Sequence, residues 1–184
     1  MNINNLTELK QLLSDYNIDT KNWRIELGNK TIEDLFLEIQ EGESQLKIIE
    51  QKLVRLLQVS SIEVKFKLGD RYFQLFEDKQ IFLSGIERKR DLNTITEKLK
   101  DSETPLECAY RGLEEEIGLK LDKNLTFINE TNQEKISPSY PHLITLYKFY
   151  NYTITLGEKE LIKIRFSEYR EEEQILSLFS LKQI

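Results

Sequence analysis

Two adjacent glutamates, Glu115 and Glu116, follow Arg111 at a distance of about one helical turn. At ~100° per residue these three side chains spread over one half of a helix, and Gly112 lies between the two glutamates. Divalent magnesium takes oxygen ligands from a few carboxylates and from the phosphates of its substrate. The spacing therefore indicates chemistry on a phosphate-containing ligand with Mg²⁺ or Mn²⁺ as the cofactor.

Basic residues shortly before this stretch can supply charge for phosphate groups. They lie in the charge-rich segment 86–100, which contains the run ERKRD and which we interpret as a solvated loop. A purely structural interpretation, in which these and the glutamates are only solvated charges, stays open. The candidate phosphate-binding residues are Arg88, Arg90, Lys98 and Lys100.

A well-marked helix must position the glutamates. Thr104 can cap its start, Pro105 suits the first helical position, and Glu107 can reach back to the cap. Gly118 is a plausible stop. Leu106, Tyr110, Leu113 and Ile117, with Ala109 at the edge, share one apolar face that should pack on a sheet.

Strand-like stretches lie on both sides of this helix. Residues 53–67 and 71–85 are rich in β-branched and aromatic residues and read as paired strands, and 140–156 and 160–169 are again strand-like. This order predicts an α+β fold, a layered α/β/α sandwich with a mixed sheet. We expect an N-terminal helical appendage over residues 1–46 and a main domain over 47–184.

Composition limits the classes of partner. The 26 basic and 32 acidic residues give a net charge of -6, which argues against broad binding to nucleic acid or to anionic membranes. The single cysteine excludes an internal disulfide. Neither a signal peptide nor an apolar run of ~20 residues is present, so an intracellular, cytoplasmic location is expected.

The segment 97–119 resembles the signature of the Nudix hydrolase superfamily. That signature is a glycine, five residues, a glutamate, seven residues, and then Arg-Glu-apolar-any-Glu-Glu-any-Gly-apolar. Here Glu103, seven residues and then RGLEEEIGL follow that pattern at the correct spacing. The positions that match are Glu103, Arg111, Leu113, Glu115, Glu116, Gly118 and Leu119.

The resemblance implies roles for four of these residues. Glu115 and Glu116 would bind the metal, whereas Arg111 and Glu103 would pair and hold the loop and the helix in register. Two positions depart from the family. Gly112 stands where the family has a glutamate that binds metal or activates water, and Glu97 stands where it has the first glycine. Both departures indicate altered chemistry.

Three functions follow as hypotheses. The first is a divergent Nudix-type hydrolase that cleaves a pyrophosphate bond in a nucleoside-diphosphate-linked small molecule. The second is an inactive Nudix-fold binding or regulatory protein that takes a nucleotide-like ligand, or a protein partner through its N-terminal helices. The third is an unrelated α+β interaction domain. In the first hypothesis a substitute base would come from another loop, with Glu158, Glu160 or the run 171–173 as candidates.

Overall fold

The structure is a computed structural model that describes residues 3–121, 125–171 and 174–184. In this part of the chain helices occupy the N-terminal region and the middle of the sequence. The helices are α1 (Leu6–Asp15), α2 (Ile32–Gln40), α3 (Pro105–Ile117) and the short α4 (Glu158–Leu161), with a 3-10 turn at Ile25–Leu27.

The strands come in consecutive groups between and after these helices. They are β1 (Gln45–Ile49), β2 (Lys52–Leu68), β3 (Arg71–Phe82), β4 (Glu87–Leu92), β5 (Ile95–Lys98), β6 (Thr126–Ile136), β7 (Ile144–Leu156), β8 (Ser167–Arg170) and β9 (Ile175–Gln183).

Neighbouring strands pair in the order β6-β7-β2-β3-β9-β8, while β1 and β5 also pair with β2, and β4 pairs with β3. The pairing of β2 with β3 is antiparallel and places Phe66 opposite Phe73. A sheet combined with separate helices confirms the predicted α+β class. None of the helices in the described ranges is long and apolar enough to cross a membrane.

The chain forms two compact units. The first comprises the described residues of Met1–Gln58, Lys98–Ser102 and Asn132–Lys148, and the second comprises those of Val59–Glu97, Glu103–Thr131 and Phe149–Ile184. The N-terminal helices belong to the first unit together with later segments. The expected domain boundary after residue 46 stays a prediction.

The first unit has an apolar core around its single tryptophan. Trp23 is buried, its ring lies 4.9 Å from that of Tyr140, and its Nε1 donates to the main-chain oxygen of Pro141 at 2.9 Å. On α2, Thr31 and Asp34 form a capping box. The buried members of this core are Ile3, Leu9, Leu13, Trp23, Leu35, Leu46, Leu53, Tyr140 and Leu143.

A buried ion cluster lies within the first unit. The carboxylate of Glu38 pairs with Arg55, with Lys30 at 3.1 Å and with Lys98 at 2.7 Å. Burial alone would raise the pKa of Glu38, but the three cations lower it well below its usual range. The Arg55 guanidinium also lies 4.8 Å from the Tyr140 ring centre, so the cluster connects to the apolar core.

In the second unit the core forms between α3 and the strands. Ala109, Leu113 and Ile117 are buried there with residues of β2, β3, β7 and β9, as the helical periodicity predicts. Tyr110 packs against the same cluster. Leu106 is 41% exposed, so the prediction that it shares the buried face is wrong, because the first turn of α3 extends beyond the core.

Two other sequence interpretations are corrected by the structure. Segment 86–100 is not a loop throughout, since Glu87–Leu92 and Ile95–Lys98 are strands. In Glu87–Leu92, which pairs with β3, exposed and half-buried residues alternate. Both faces of this strand carry charged side chains, so hydropathy does not show its two-residue period. Residues 160–169 also divide between the end of α4 and β8.

Candidate functional site

Local sequence fixes both ends of α3. The Thr104 side chain accepts from the backbone N–H of Glu107, and the Glu107 carboxylate accepts from that of Thr104, which completes the predicted capping box. Gly118 ends the helix in the left-handed conformation, with φ of 69°. Arg165 then donates to the main-chain oxygens of Glu114 and Glu115, at 3.2 and 2.7 Å, and neutralises the negative end of the helix.

Arg111 connects three carboxylates. Its Nε and Nη2 donate to the two oxygens of Glu103, at 2.8 Å each. Its Nη1 donates to Glu97 and to Glu115, at 3.0 Å each. Hydrogen bonding to Glu103 raises the pKa of Arg111, so the guanidinium stays charged. The pair expected from the resemblance is therefore present, and its function stays a prediction.

Glu116 faces into the protein and meets a second glutamate. It is 9% exposed, and its helix α3 contacts β8, which carries the half-buried Glu168. Burial raises the pKa of both groups, nearby Arg170 lowers it, and the charges of neighbouring glutamates raise it again. Burial and the neighbouring carboxylates therefore favour the protonated form of both groups.

Sequence reasoning missed Glu168. The alternation in β8 places Glu168 and Arg170 half-buried on one side while Tyr169 is exposed, but only the fold brings this strand next to α3. Arg170 Nε lies 3.4 Å from Glu168 Oε2, which is buried and accepts no hydrogen bond from any described residue. An alternating strand that carries two opposite charges was the available signal.

The proposed substitute bases lie elsewhere. Glu160 accepts from the backbone N–H of Gly157 at the start of α4. Glu158 is in the first turn of the same helix, and Glu171 is exposed. Glu172 and Glu173 lie outside the described residues. Glu168 lies on β8, which contacts α3, so we take it as the candidate base.

Gly112 packs against Glu97. A Cβ at position 112 would lie 2.7 Å from the Cβ of Glu97, a distance that real Cβ atoms essentially never show. The thiol of Cys108, one turn earlier, donates to the main-chain oxygen of Glu97 at 3.4 Å. Gly112 therefore serves the close approach of β5 to α3, which is a structural reason for a glycine within a helix.

The basic residues predicted to bind phosphate separate into two groups. In the second unit Arg90 donates to Glu77 at 3.2 Å, and Arg88 lies over the Phe82 ring at 5.0 Å. The charge of Glu77 in turn raises the pKa of Glu116.

Lys98 and Lys100 lie in the first unit. Lys98 pairs with Glu38 at 2.7 Å and with Glu43 at 2.6 Å, and Lys100 is exposed. For all four residues a role in phosphate binding stays a prediction.

Two further residues of chemical interest have structural surroundings. Cys108 is buried, and desolvation raises the pKa of its thiol to about 12, so it is not a nucleophile in the folded protein. His142 is exposed in a turn of the first unit and has a positive φ of 70°.

The donor atoms around Glu116 fit a divalent cation that is shared with a substrate. Carboxylate oxygens are the ligands that Mg²⁺ prefers, and one or two of them suffice when substrate phosphates complete the coordination. Within the described ranges no three His, Cys, Asp or Glu side chains lie close enough to enclose an ion. Glu115 and Glu116 therefore suit a substrate-completed site and not a closed cage of protein ligands.

Comparison with known proteins identifies the family. Residues 73–184 match the model of the NUDIX domain. Because this match covers more than half of the chain, the protein belongs to the Nudix family, and the resemblance inferred from segment 97–119 is confirmed. No curated protein sequence matches the chain.

Several solved structures are similar to this chain. A C. elegans Ap4A hydrolase binary complex has 10% identity and a TM-score of 0.39, over 69% of this chain and 78% of that one. The MutT protein from Bacillus halodurans has 15% identity and a TM-score of 0.40, over 69% and 68%. The NUDIX domain of Shewanella oneidensis NrtR, complexed with ADP ribose, has 8% identity and a TM-score of 0.41, over 67% and 72%. Family membership rests on the domain match and not on these low scores.

Proposed function

We propose that the protein is a divergent Nudix-type hydrolase that cleaves a pyrophosphate bond in a nucleoside-diphosphate-linked small molecule. One observation carries the proposal: Glu116 is a buried carboxyl group on α3, which contacts the strand of Glu168, and Glu115 directly before it lies at the surface. A buried carboxyl group is costly to desolvate, and functional sites are where such groups are concentrated.

Each residue has a proposed part. Glu115 and Glu116 would hold Mg²⁺ or Mn²⁺, which when bound would polarise the phosphate oxygens and neutralise their charge. Arg111 and Glu103 would keep the start of the site aligned with α3. Arg88 and Arg90 would contact the phosphates, and Lys98 would do so only by leaving Glu38 and Glu43.

Hydrolysis also needs a group that takes a proton. A water oxygen attacks one phosphorus, the bridging P–O bond breaks with its electrons on the departing phosphate, and the proton of the water passes to a carboxylate. We propose Oε2 of Glu168 as the acceptor, because it is buried beside Glu116 and accepts no hydrogen bond from the described residues. This would replace the glutamate that the family signature has at position 112.

The experiment separates cation binding from turnover. Titration calorimetry with Mn²⁺ and Mg²⁺ should show binding to the wild-type protein that is lost in Glu116→Gln. Glu114→Gln is the matched control, because Glu114 lies on the same helix, is exposed and pairs with Lys120. Against a panel of nucleoside-diphosphate-linked compounds, Glu168→Gln should lower kcat by roughly 100- to 10,000-fold while cation binding persists.

The second candidate is a Nudix-fold binding or regulatory protein without turnover. The packing of Gly112 against Glu97 favours it, since the family's glutamate cannot be accommodated at 112 without a shift. A folded protein that binds a nucleotide-like ligand but releases no product, with or without a divalent cation, would support this function. Pull-down with α1 and α2 surface variants would then test whether the N-terminal helices bind a protein partner.

A further inference from the structure

The two departures from the Nudix signature contact each other. The family has glycine at the position of Glu97 and glutamate at the position of Gly112, and this chain has the two residues exchanged. A Cβ at 112 would lie 2.7 Å from the Cβ and 3.3 Å from the Cγ of Glu97. Side chains at both positions would collide, so the side chain of Glu97 requires glycine at position 112.

Glu97 is held in a defined position. Its side chain is 16% exposed, its carboxylate accepts from Arg111 Nη1 at 3.0 Å, and its main-chain oxygen accepts from Cys108. The start of α3 is also tied to β2, because Ser60 Oγ donates to the main-chain oxygen of Pro105 at 2.6 Å. Glu97 therefore has a fixed relation to the helix that carries the glutamate pair.

The carboxylate of Glu97 lies among the acidic groups of the site. Glu97 and Glu115 accept from the same nitrogen, Arg111 Nη1, at 3.0 Å each, so their bound oxygens are no farther apart than twice that distance. A negative charge thus remains where the family signature has one, although it comes from β5.

We infer that Glu97 supplies the negative charge that α3 lacks at position 112 and acts as a positioning residue for the cation site. It does so through Arg111, whose Nη1 it shares with Glu115, and it need not touch the ion itself. This inference rests on the proposed function. Relative to the family signature, the negative charge comes from β5 and not from α3, and Gly112 leaves room for the Glu97 side chain.

Two variants at position 97 separate charge from shape. Glu97→Gln keeps the side-chain volume and removes the charge, and it should weaken Mn²⁺ binding by roughly 10- to 100-fold with little change in Tm. The double variant Glu97→Gly with Gly112→Glu restores the family signature and should bind Mn²⁺ as tightly as the wild-type protein. Glu114→Gln is again the control for a general loss of negative charge.

Gly112→Glu alone should lower Tm, because the new side chain meets Glu97, and adding Glu97→Gly should restore it. This measurement needs no activity and no cation. It tests whether side chains at positions 97 and 112 compete for the same space.

Each outcome decides the matter. If the wild-type protein binds Mn²⁺ and Glu97→Gln binds it equally well, Glu97 has no part in the site and the inference is overturned, whereas the proposed function stands. If only the double variant binds Mn²⁺, Glu97 does not substitute for the missing glutamate, and the inference is again overturned. If neither the wild-type protein nor the double variant binds Mn²⁺, there is no cation site, and the proposed function and the inference fail together.

Discussion

Arg111 donates two parallel hydrogen bonds to Glu103, from Nε and Nη2, each 2.8 Å long. A planar guanidinium fits a carboxylate in this way, and the ammonium group of lysine does not. The same guanidinium reaches Glu97 and Glu115, so one side chain organises the acidic groups at the start and on the surface of α3.

Arg111→Lys should therefore destabilise the protein although the charge is kept. We expect the free energy of unfolding to fall by about 1 to 3 kcal/mol, since charged hydrogen bonds to Glu103 are lost. Urea denaturation followed by circular dichroism measures this change. Arg111→Met should cost more, because it leaves Glu97 and Glu103 without their cation. Equal stability of the lysine variant and the wild-type protein would contradict the structural role.

The effect of Gly112→Ala should change sign with the residue at 97. In the wild-type background the added Cβ meets Glu97 and should cost about 1 to 3 kcal/mol, which exceeds the helix-propensity gain of alanine over glycine. In a Glu97→Gly background the collision is absent, and the same change should stabilise by about 1 kcal/mol. Four chemical denaturation curves complete the cycle. Stabilisation in both backgrounds would sink the close-packing explanation.

Glu38 should make the first unit sensitive to acid. Its pKa in the folded protein is lowered, against the effect of burial, by Arg55, Lys98 and Lys30, so its contribution is present above the unfolded value of 4.5 and is lost as the pH falls below it. Glu38→Gln leaves buried Arg55 without its partner and should cost about 3 to 5 kcal/mol at neutral pH. It should also flatten the loss of stability on acidification.

The control for this experiment is Glu33→Gln. Glu33 lies on the same helix and pairs with Lys10, but the two side chains are 57% and 50% exposed, respectively. Exposed pairs of this kind contribute little, about 0 to 1 kcal/mol. If the two variants lose equal stability, the Glu38 cluster has no special importance.

Cys108 should react slowly with thiol reagents in the native protein. Burial raises the pKa of its thiol to about 12, so almost no thiolate forms at neutral pH, and the side chain is inaccessible. Labelling with Ellman's reagent should be complete only after unfolding in guanidinium chloride. Rapid labelling under native conditions would show that α3 separates from β5 more readily than the packing indicates.

Local features of this protein were the easiest to predict from sequence. The cap at Thr104, the stop at Gly118 and the buried positions Leu113 and Ile117 follow from residue type and helical spacing within α3. The paired strands β2 and β3 follow in the same way from their apolar content. These elements carry their own signals and need no distant partner.

Other features depend on contacts that spacing cannot reveal. Glu168 meets Glu116 across a long stretch of chain, and Lys98 is bound by Glu38 and Glu43 near the N-terminal helices. The strand Thr126–Ile136 is exposed along its whole length, so it has no alternation to detect. The contact between Gly112 and Glu97 could not be predicted either. The sequence shows two separate departures from the family signature, and only the fold brings them together.

The contact between the Trp23 and Tyr140 rings has a practical consequence for studying the two compact units separately. The chain has one tryptophan and one cysteine, and they fall in different units, Trp23 in the first and Cys108 in the second. Tryptophan emission therefore follows the loss of structure in the first unit alone, while thiol accessibility follows the second. The natural sequence thus provides an optical and a chemical reporter. Whether the two units unfold together can therefore be measured without introducing a tryptophan or a cysteine by mutation.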